Sequence, residues 1–125
     1  MDVLAKVQEI IERELEKDPE EITREASLRD TLGADSIDLV TLVMEFEEEL
    51  QAVIRGIWTD SEAIPEEFML SEEELEALDK RTLIPDEDVQ GIDTVGDAVD
   101  YIEKRIADAM QEREDYLKEQ MAKAA

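Results

Sequence analysis

The stretch Leu32-Gly33-Ala34-Asp35-Ser36-Ile37-Asp38-Leu39 places a serine directly after a glycine-containing loop and at the start of an apolar, periodic segment. This segment predicts a helix from Asp35 to about Leu50, with Asp35 as its N-cap and Asp38 favourably placed in its first turn. A serine at such a position is ordinarily part of a helix cap. The stretch by itself therefore assigns no function to Ser36.

Apolar side chains form two stripes along this helix. One is an ordinary core-facing stripe that consists of Leu39, Leu42, Val43, Phe46 and Leu50. The other has the helical spacing i, i+3, i+7 and consists of Ile37, Val40 and Met44. Polar and acidic residues flank the second stripe, namely Asp38, Thr41, Glu45, Glu47 and Glu48. An interaction surface would explain the second stripe, but so would a helix that is buried on all sides, and both interpretations are open at this point.

The rest of the chain also predicts helices. A first helix extends from Asp2 to about Lys17, and a linker over residues 20–35 follows, with isolated apolar residues that we expect to anchor it across a helical core. Capping boxes predict a short helix over about 72–80 and a last helix that begins after Thr94 and runs on towards Leu117. The apolar segment 51–58 contains Gly56 and is not assigned to a helix. No stretch predicts a strand, so the expected class is all-α.

Composition narrows the possible functions. The chain has 125 residues, which favours a single domain, and its 37 acidic and 13 basic residues give a net charge of −24. Such a surface repels phosphate groups, so we expect partners with basic patches and no nucleic acid. The chain has no Cys and no His, so no thiol nucleophile, no imidazole base and no dedicated metal site are expected. No apolar run is long enough for a membrane span and no signal peptide is evident, so the expected compartment is the cytoplasm.

Considered with its flanks, the stretch Gly33-Ala34-Asp35-Ser36-Ile37 resembles the G-x-D-S-[LI] motif of the acyl carrier protein family. That family attaches 4′-phosphopantetheine to this serine at the start of its second helix. The family's recognition helix is resembled by Asp38, Leu42-Val43-Met44 and Glu47-Glu48. Residues 84–102 resemble the family's third and fourth helices. The resemblance covers residues 1–50 and about 83–106.

The resemblance implies a four-helix bundle of the acyl-carrier type, with an extra insertion helix and an extended C-terminal helix. Residues 1–125 would form a single acyl carrier domain that contains an insertion over 51–82 and a C-terminal helical extension over 107–125. The protein would not be an enzyme and would have no catalytic residues. It would hold acyl intermediates as thioesters on a 4′-phosphopantetheine arm at Ser36. It would deliver them to partner enzymes of fatty-acid or specialised lipid synthesis.

The resemblance also implies two groups of site residues. A partner-binding surface would consist of Asp35, Ile37, Asp38, Val40, Met44, Glu45, Glu47 and Glu48. An acyl pocket would be lined by Leu28, Leu32, Leu39, Leu42, Phe46, Ile84, Ile92, Ala98, Val99 and Ile102. The implied partners are a phosphopantetheinyl transferase and basic-surfaced acyl synthases, reductases or acyltransferases, and a monomer is expected.

The chain departs from the family pattern mainly in its insertion. Residues 51–82 carry too many large apolar side chains for a flexible linker, so we expect them to widen or cover the acyl pocket. A mobile loop and a docking site for one dedicated partner are the alternatives. Two alternatives to the function are also open: a polyketide-type or peptidyl-type carrier, and a helical interaction protein that has kept the fold without the arm.

Overall fold

Five α-helices make up most of residues 2–125, the part of the chain that the computed structural model describes. They are α1 (Val3–Leu15), α2 (Ser36–Trp58), α3 (Glu72–Arg81), α4 (Asp86–Val89) and α5 (Val95–Ala124). Single 3-10 turns lie at Pro19–Glu21 and Glu66–Phe68. The one extended pairing among these residues is an isolated bridge between Ser27 and Thr94. The predicted all-α class is confirmed.

The helix that follows Ser36 is longer than the sequence predicts, since α2 continues past Leu50 to Trp58. The core-facing stripe continues at intervals of four residues, and Leu50, Ile54 and Trp58 are all buried. Each buried apolar side chain contributes about 1.5–3 kcal/mol, whereas one glycine in a helix costs about 1 kcal/mol. Burial of Ile54 and Trp58 therefore outweighs the cost of Gly56, and the predicted end at Leu50 was wrong.

The linker between α1 and α2 crosses the helices as an anchored loop, which confirms the prediction for residues 20–35. Its anchors Ile22, Leu28 and Leu32 are at most 2% exposed. The loop also approaches the start of α5, where the Gly96 N–H donates to the carbonyl of Arg24 at 2.8 Å. A Cβ on Gly96 would lie 3.0 Å from that carbonyl oxygen, a tight contact, so this close approach favours glycine.

The chain divides into two compact units. Unit 1 comprises residues 1–48 and 84–104, and unit 2 comprises residues 49–83 and 105–125. In unit 1 the buried core comes from α1, the loop and the first turns of α2 and α5, with Val7, Ile10, Ile11, Leu42, Phe46, Val95 and Val99 among its members. The whole of the predicted insertion (51–82) and of the predicted C-terminal extension (107–125) therefore falls in unit 2.

Unit 2 has a core and polar contacts of its own. Its buried side chains are Leu50, Ile54, Trp58, Ile64, Leu75, Leu78, Thr82 and Ala109. The rings of Trp58 and Tyr116 meet edge to face at 5.4 Å, and the Tyr116 hydroxyl donates to the carbonyl of Phe68 at 2.8 Å. Arg55 pairs with Asp79 at 2.6 Å. Residues 51–82 thus contribute helices and buried side chains to the interior of unit 2. No helix among residues 2–125 has the length and apolar character needed to cross a membrane.

Candidate functional site

Ser36 is the first residue of α2 and follows a tight loop. Within this loop the Gly33 N–H donates to the carbonyl of Arg29 at 3.1 Å, and the Ala34 N–H donates to that of Leu28 at 2.8 Å. Gly33 has a φ of +72°, a left-handed conformation that glycine adopts without a Cβ penalty. The side chain of Ala34 is 6% exposed, whereas Ser36 is exposed. The loop is therefore anchored on one side and presents the serine on the other.

Two aspartates, and not the serine, cap α2. The Asp38 N–H donates to Oδ1 of Asp35 at 2.8 Å, and the Asp35 N–H donates to Oδ2 of Asp38 at 3.1 Å. This reciprocal capping box satisfies backbone donors at the helix start. Among residues 2–125 the Ser36 hydroxyl has no hydrogen-bond partner. A capping role does not explain Ser36, and its hydroxyl is available for chemistry.

The second apolar stripe of α2 faces outward. Ile37 is 77% exposed, Val40 is 59% exposed and Met44 is 56% exposed. The alternative of a helix buried on all sides is therefore wrong for its first turns. These three large apolar side chains lie on one face of α2, next to Ser36. Exposed apolar patches of this kind mark interaction surfaces. We call Ile37, Val40 and Met44 the exposed stripe.

Acidic residues border the exposed stripe, but most of them also make contacts within the chain. Asp35 and Asp38 form the capping box, and Oε1 of Glu47 accepts a hydrogen bond from the Ile84 N–H at 2.9 Å. Glu45 pairs with Arg13 at 3.1 Å, while Glu48 is exposed. A carboxylate has several acceptor positions, so these contacts still leave room for a cation from a partner. No group of three potential metal ligands occurs within residues 2–125.

Glu45 has an unusual environment within this border. Its partial burial and a hydrogen bond with Glu14 raise the pKa of its carboxyl, and the guanidinium of Arg13 opposes this effect without reversing it. Burial disfavours the ionised form because it removes water from the charge. The carboxyl of Glu45 is therefore harder to ionise than that of an exposed glutamate.

A cavity of about 410 Å³ lies within unit 1, beside the exposed stripe on α2. It is lined by Leu28, Arg29, Leu39, Leu42, Val43, Phe46, Val89, Gln90, Ile92 and Asp93. This volume lies within the range of about 300–1,000 Å³ that is typical of small-ligand pockets. Leu39 lies one helical turn after Ser36, so the cavity begins close to the serine.

The structure brings together five of the residues that were expected to line an acyl pocket, namely Leu28, Leu39, Leu42, Phe46 and Ile92. The other five are not part of this lining. Leu32, Ile84, Ala98, Val99 and Ile102 are at most 6% exposed and belong to the core of unit 1. No residue of 51–82 lines this cavity, so a role for the insertion in the pocket stays a prediction.

Sequence reasoning missed the other five lining residues. Val43 lies four residues after Leu39 on α2, so helical spacing could have identified it. Val89 is the last residue of α4, and Ile92 lies beyond the end of that helix. Arg29, Gln90 and Asp93 are polar, and no apolar pattern points to them. They reach the cavity because the Leu28 N–H donates to the carbonyl of Asp93 at 2.9 Å, which joins the two loops.

Comparison with known proteins agrees with this arrangement. A family model described as a phosphopantetheine attachment site matches residues 5–58. An acyl carrier protein from Phenylobacterium zucineum is 38% identical over 105 residues, which cover 84% of this chain and 95% of that protein. One from Thermotoga maritima is 37% identical over 84% of this chain and 93% of that protein. One from Caulobacter vibrioides is 37% identical over 85% of this chain and 97% of that protein.

Proposed function

Because the chain belongs to the acyl carrier protein family, whose members are not enzymes and bear 4′-phosphopantetheine, we propose that Ser36 is the residue that bears this group. One observation carries the proposal. The Ser36 hydroxyl is exposed and free of hydrogen bonds within the described residues, because Asp35 and Asp38 complete the cap without it. The arm would supply the thiol on which an acyl group is held as a thioester. The chain has no Cys that would compete for that acyl group.

The start of α2 favours a phosphate ester on Ser36. Backbone N–H groups at a helix N-terminus carry partial positive charge and stabilise an anion there. Asp35 and Asp38 bring negative charge to the same turn, and each of them accepts a backbone N–H. These hydrogen bonds offset part of the repulsion, so a phosphodiester is tolerated beside the two carboxylates.

The attachment is tested by co-producing the full chain with a phosphopantetheinyl transferase and mapping the adduct by peptide mass spectrometry. We expect one adduct, on the peptide that contains Ser36, and none on Ser36→Ala. Ser61→Ala is the matched control because Ser61 is also exposed, and it should be modified like the unaltered chain. An adduct on Ser27, Ser61 or Ser71 would refute the assignment. Absence of any adduct would favour the alternative of a helical interaction protein without the arm.

The exposed stripe and its acidic border form the proposed docking surface for partner enzymes. The stripe supplies an apolar centre, and Asp35, Asp38, Glu45, Glu47 and Glu48 supply a rim that attracts basic surfaces. Suitable partners are the phosphopantetheinyl transferase and acyl synthases, reductases or acyltransferases with basic patches. Electrostatic attraction mainly accelerates the encounter, so binding should be fast and salt-sensitive.

The cavity of unit 1 is the proposed site for the acyl chain. Its apolar lining excludes water from the chain, and its position near Ser36 suits a group tethered to that residue. We further propose fatty-acid or specialised lipid synthesis as the setting, because strong acidity and the Ile84-Pro85-Asp86-Glu87 segment favour this type over a peptidyl-type carrier. A monomer and a cytoplasmic location stay predictions from the sequence.

A further inference from the structure

Arg29 differs from the other arginines of the chain. The guanidinium groups of six of the seven arginines form an ion pair or hydrogen bond within residues 2–125, but that of Arg29 forms neither. A guanidinium without a carboxylate partner is unexpected in a chain of net charge −24. Arg29 also lines the cavity of unit 1. Its five N–H donors are therefore free to bind an acceptor that a ligand brings.

The cavity has a polar edge around Arg29. Gln90 and Asp93 belong to the same lining, and the hydrogen bond from Leu28 to Asp93 holds the two loops together. The carboxamide of Gln90 has no hydrogen-bond partner within residues 2–125, whereas Oδ1 of Asp93 accepts from the Ser27 hydroxyl at 3.1 Å. The edge thus offers two unused donor groups, a guanidinium and a carboxamide.

The contribution of α2 to the same cavity is entirely apolar. It consists of Leu39, Leu42, Val43 and Phe46. A ligand that fits both the apolar lining and the polar edge has two features. Its hydrocarbon portion packs against α2, and it has an oxygen that accepts hydrogen bonds from Arg29 and Gln90. Beyond its thioester carbonyl, an unsubstituted acyl chain offers the hydrocarbon portion alone.

We propose that Arg29, assisted by Gln90, makes the cavity selective for acyl groups that carry a hydroxyl or keto oxygen beyond the thioester carbonyl, over unsubstituted acyl groups of equal length. This inference rests on the proposed function, because the acyl group has to reach the cavity from Ser36. Hydrogen bonds from a charged donor are roughly twice as strong as neutral ones. Arg29 is exposed, so solvent competes and the selectivity is modest.

The test uses the full chain loaded at Ser36 with either an octanoyl or a 3-hydroxyoctanoyl group. The rate at which hydroxylamine cleaves each thioester measures protection by the cavity. Arg29→Met removes the guanidinium and keeps an unbranched stem, and Arg29→Lys keeps the charge. Lys17→Gln is the matched control, because it removes one positive charge from unit 1 at a residue that does not line the cavity.

We expect Arg29→Met to accelerate cleavage of the 3-hydroxyoctanoyl form by roughly three- to tenfold, and to change the octanoyl form by less than about twofold. Arg29→Lys should restore part of the protection, and Lys17→Gln should resemble the unaltered chain. Equal acceleration of both forms by Arg29→Met would overturn the inference, since the guanidinium would then contribute only to packing.

Nitrogen-15 spectra of the Arg29 Nε–Hε group separate two sources of the bound oxygen. A shift that appears with the 3-hydroxyoctanoyl form, and not with the unacylated arm, supports the inference. A shift that is already complete with the unacylated arm assigns Arg29 to the phosphate and overturns it. Failure to load Ser36 at all would refute the proposed function, and the inference with it. Normal loading without selectivity would refute the inference alone.

Discussion

Unit 1 and unit 2 differ in charge and in the distribution of their exposed apolar side chains. Unit 1 holds 22 of the 37 acidic and 6 of the 13 basic residues, a net charge of −16, whereas unit 2 has a net charge of −8. Within residues 2–125, each unit exposes three large apolar side chains. Those of unit 1 adjoin one another on α2, whereas unit 2 exposes Leu83, Met110 and Met121 at separated positions. Acidity and a clustered apolar stripe thus occur together in the unit that contains Ser36.

The two units also contain different cavities. The cavity of unit 1 is lined by residues from α2 and two loops, and its lining is largely apolar. A cavity of about 440 Å³ in unit 2 is lined mainly by one side of α5, including Met110, Gln111, Arg113 and Glu114. Similar volumes therefore do not distinguish the units. The two cavities differ in their distance along the chain from an available hydroxyl nucleophile. That nucleophile is Ser36, which belongs to unit 1.

Among the predicted effects, the largest is the loss of stability when a buried aromatic side chain is removed from the core of either unit. Phe46→Ala in unit 1 and Trp58→Ala in unit 2 should each lower the free energy of unfolding by about 3–5 kcal/mol, since both side chains are buried. Trp58→Phe should cost much less than Trp58→Ala, because Nε1 of Trp58 is buried without a hydrogen-bond partner. Urea denaturation measures these changes. Equal costs for Trp58→Phe and Trp58→Ala would contradict the account of unit 2.

The second largest predicted effect is a loss of partner affinity when a charged residue is introduced into the exposed stripe. Met44→Glu should weaken binding to the phosphopantetheinyl transferase by about tenfold or more, because it places a charge at the apolar centre of the docking surface. Met121→Glu is the matched control, since Met121 is 52% exposed in unit 2 and Met44 is 56% exposed in unit 1. Binding isotherms compare the two. If both substitutions weakened binding equally, docking would not be confined to the stripe.

Added salt should stabilise the chain by a smaller amount. The net charge of −24 means that the folded chain repels itself, and ions screen this repulsion. Thermal melting at increasing sodium chloride concentration should therefore show a rising midpoint. The charge difference between the units predicts that amide protons of unit 1 gain more protection from exchange than those of unit 2. Indifference of both units to salt would show that the charges are better paired than their number suggests.

The smallest predicted effect is a pH-dependent change in stability that arises at the N-terminal cap of α5. The N–H groups of Thr94 and Asp93 donate to Asp97, which lowers the pKa of its carboxyl. A carboxyl with a lowered pKa in the folded state stabilises the chain above its unfolded pKa, and this contribution is lost as the pH falls through the folded pKa. Asp97→Asn should therefore destabilise the chain at neutral pH, and the difference should vanish in acid.

Unit 2 offers a control for this pH dependence. The Ser71 N–H and hydroxyl similarly lower the pKa of Glu74 at the cap of α3, so Glu74→Gln should show the same trend. Stability measured by denaturant from neutral to acid pH compares the two variants. A deficit of Asp97→Asn that persists unchanged in acid would show that its carboxylate charge is not responsible.

Much of unit 1 follows from the sequence because its signals are local. Capping residues and helical spacing predict α1, the start of α2 and the start of α5, and the motif around Ser36 points to the site. The longer extent of α2 was not predicted, because the cost of Gly56 is visible in the sequence while the burial that offsets it is not. The polar edge of the cavity was missed because Arg29 and Gln90 reach it through contacts between distant loops.

The acyl group's location tests the central claim most directly. Amide chemical shifts of the full chain are compared between the unacylated arm form and the octanoyl form. The account predicts that the largest changes occur at Leu28, Phe46 and Ile92 in the cavity of unit 1, while Ala107 and Met110 in the cavity of unit 2 remain unchanged. Largest changes at Ala107 and Met110, with the lining of unit 1 unaffected, would contradict it.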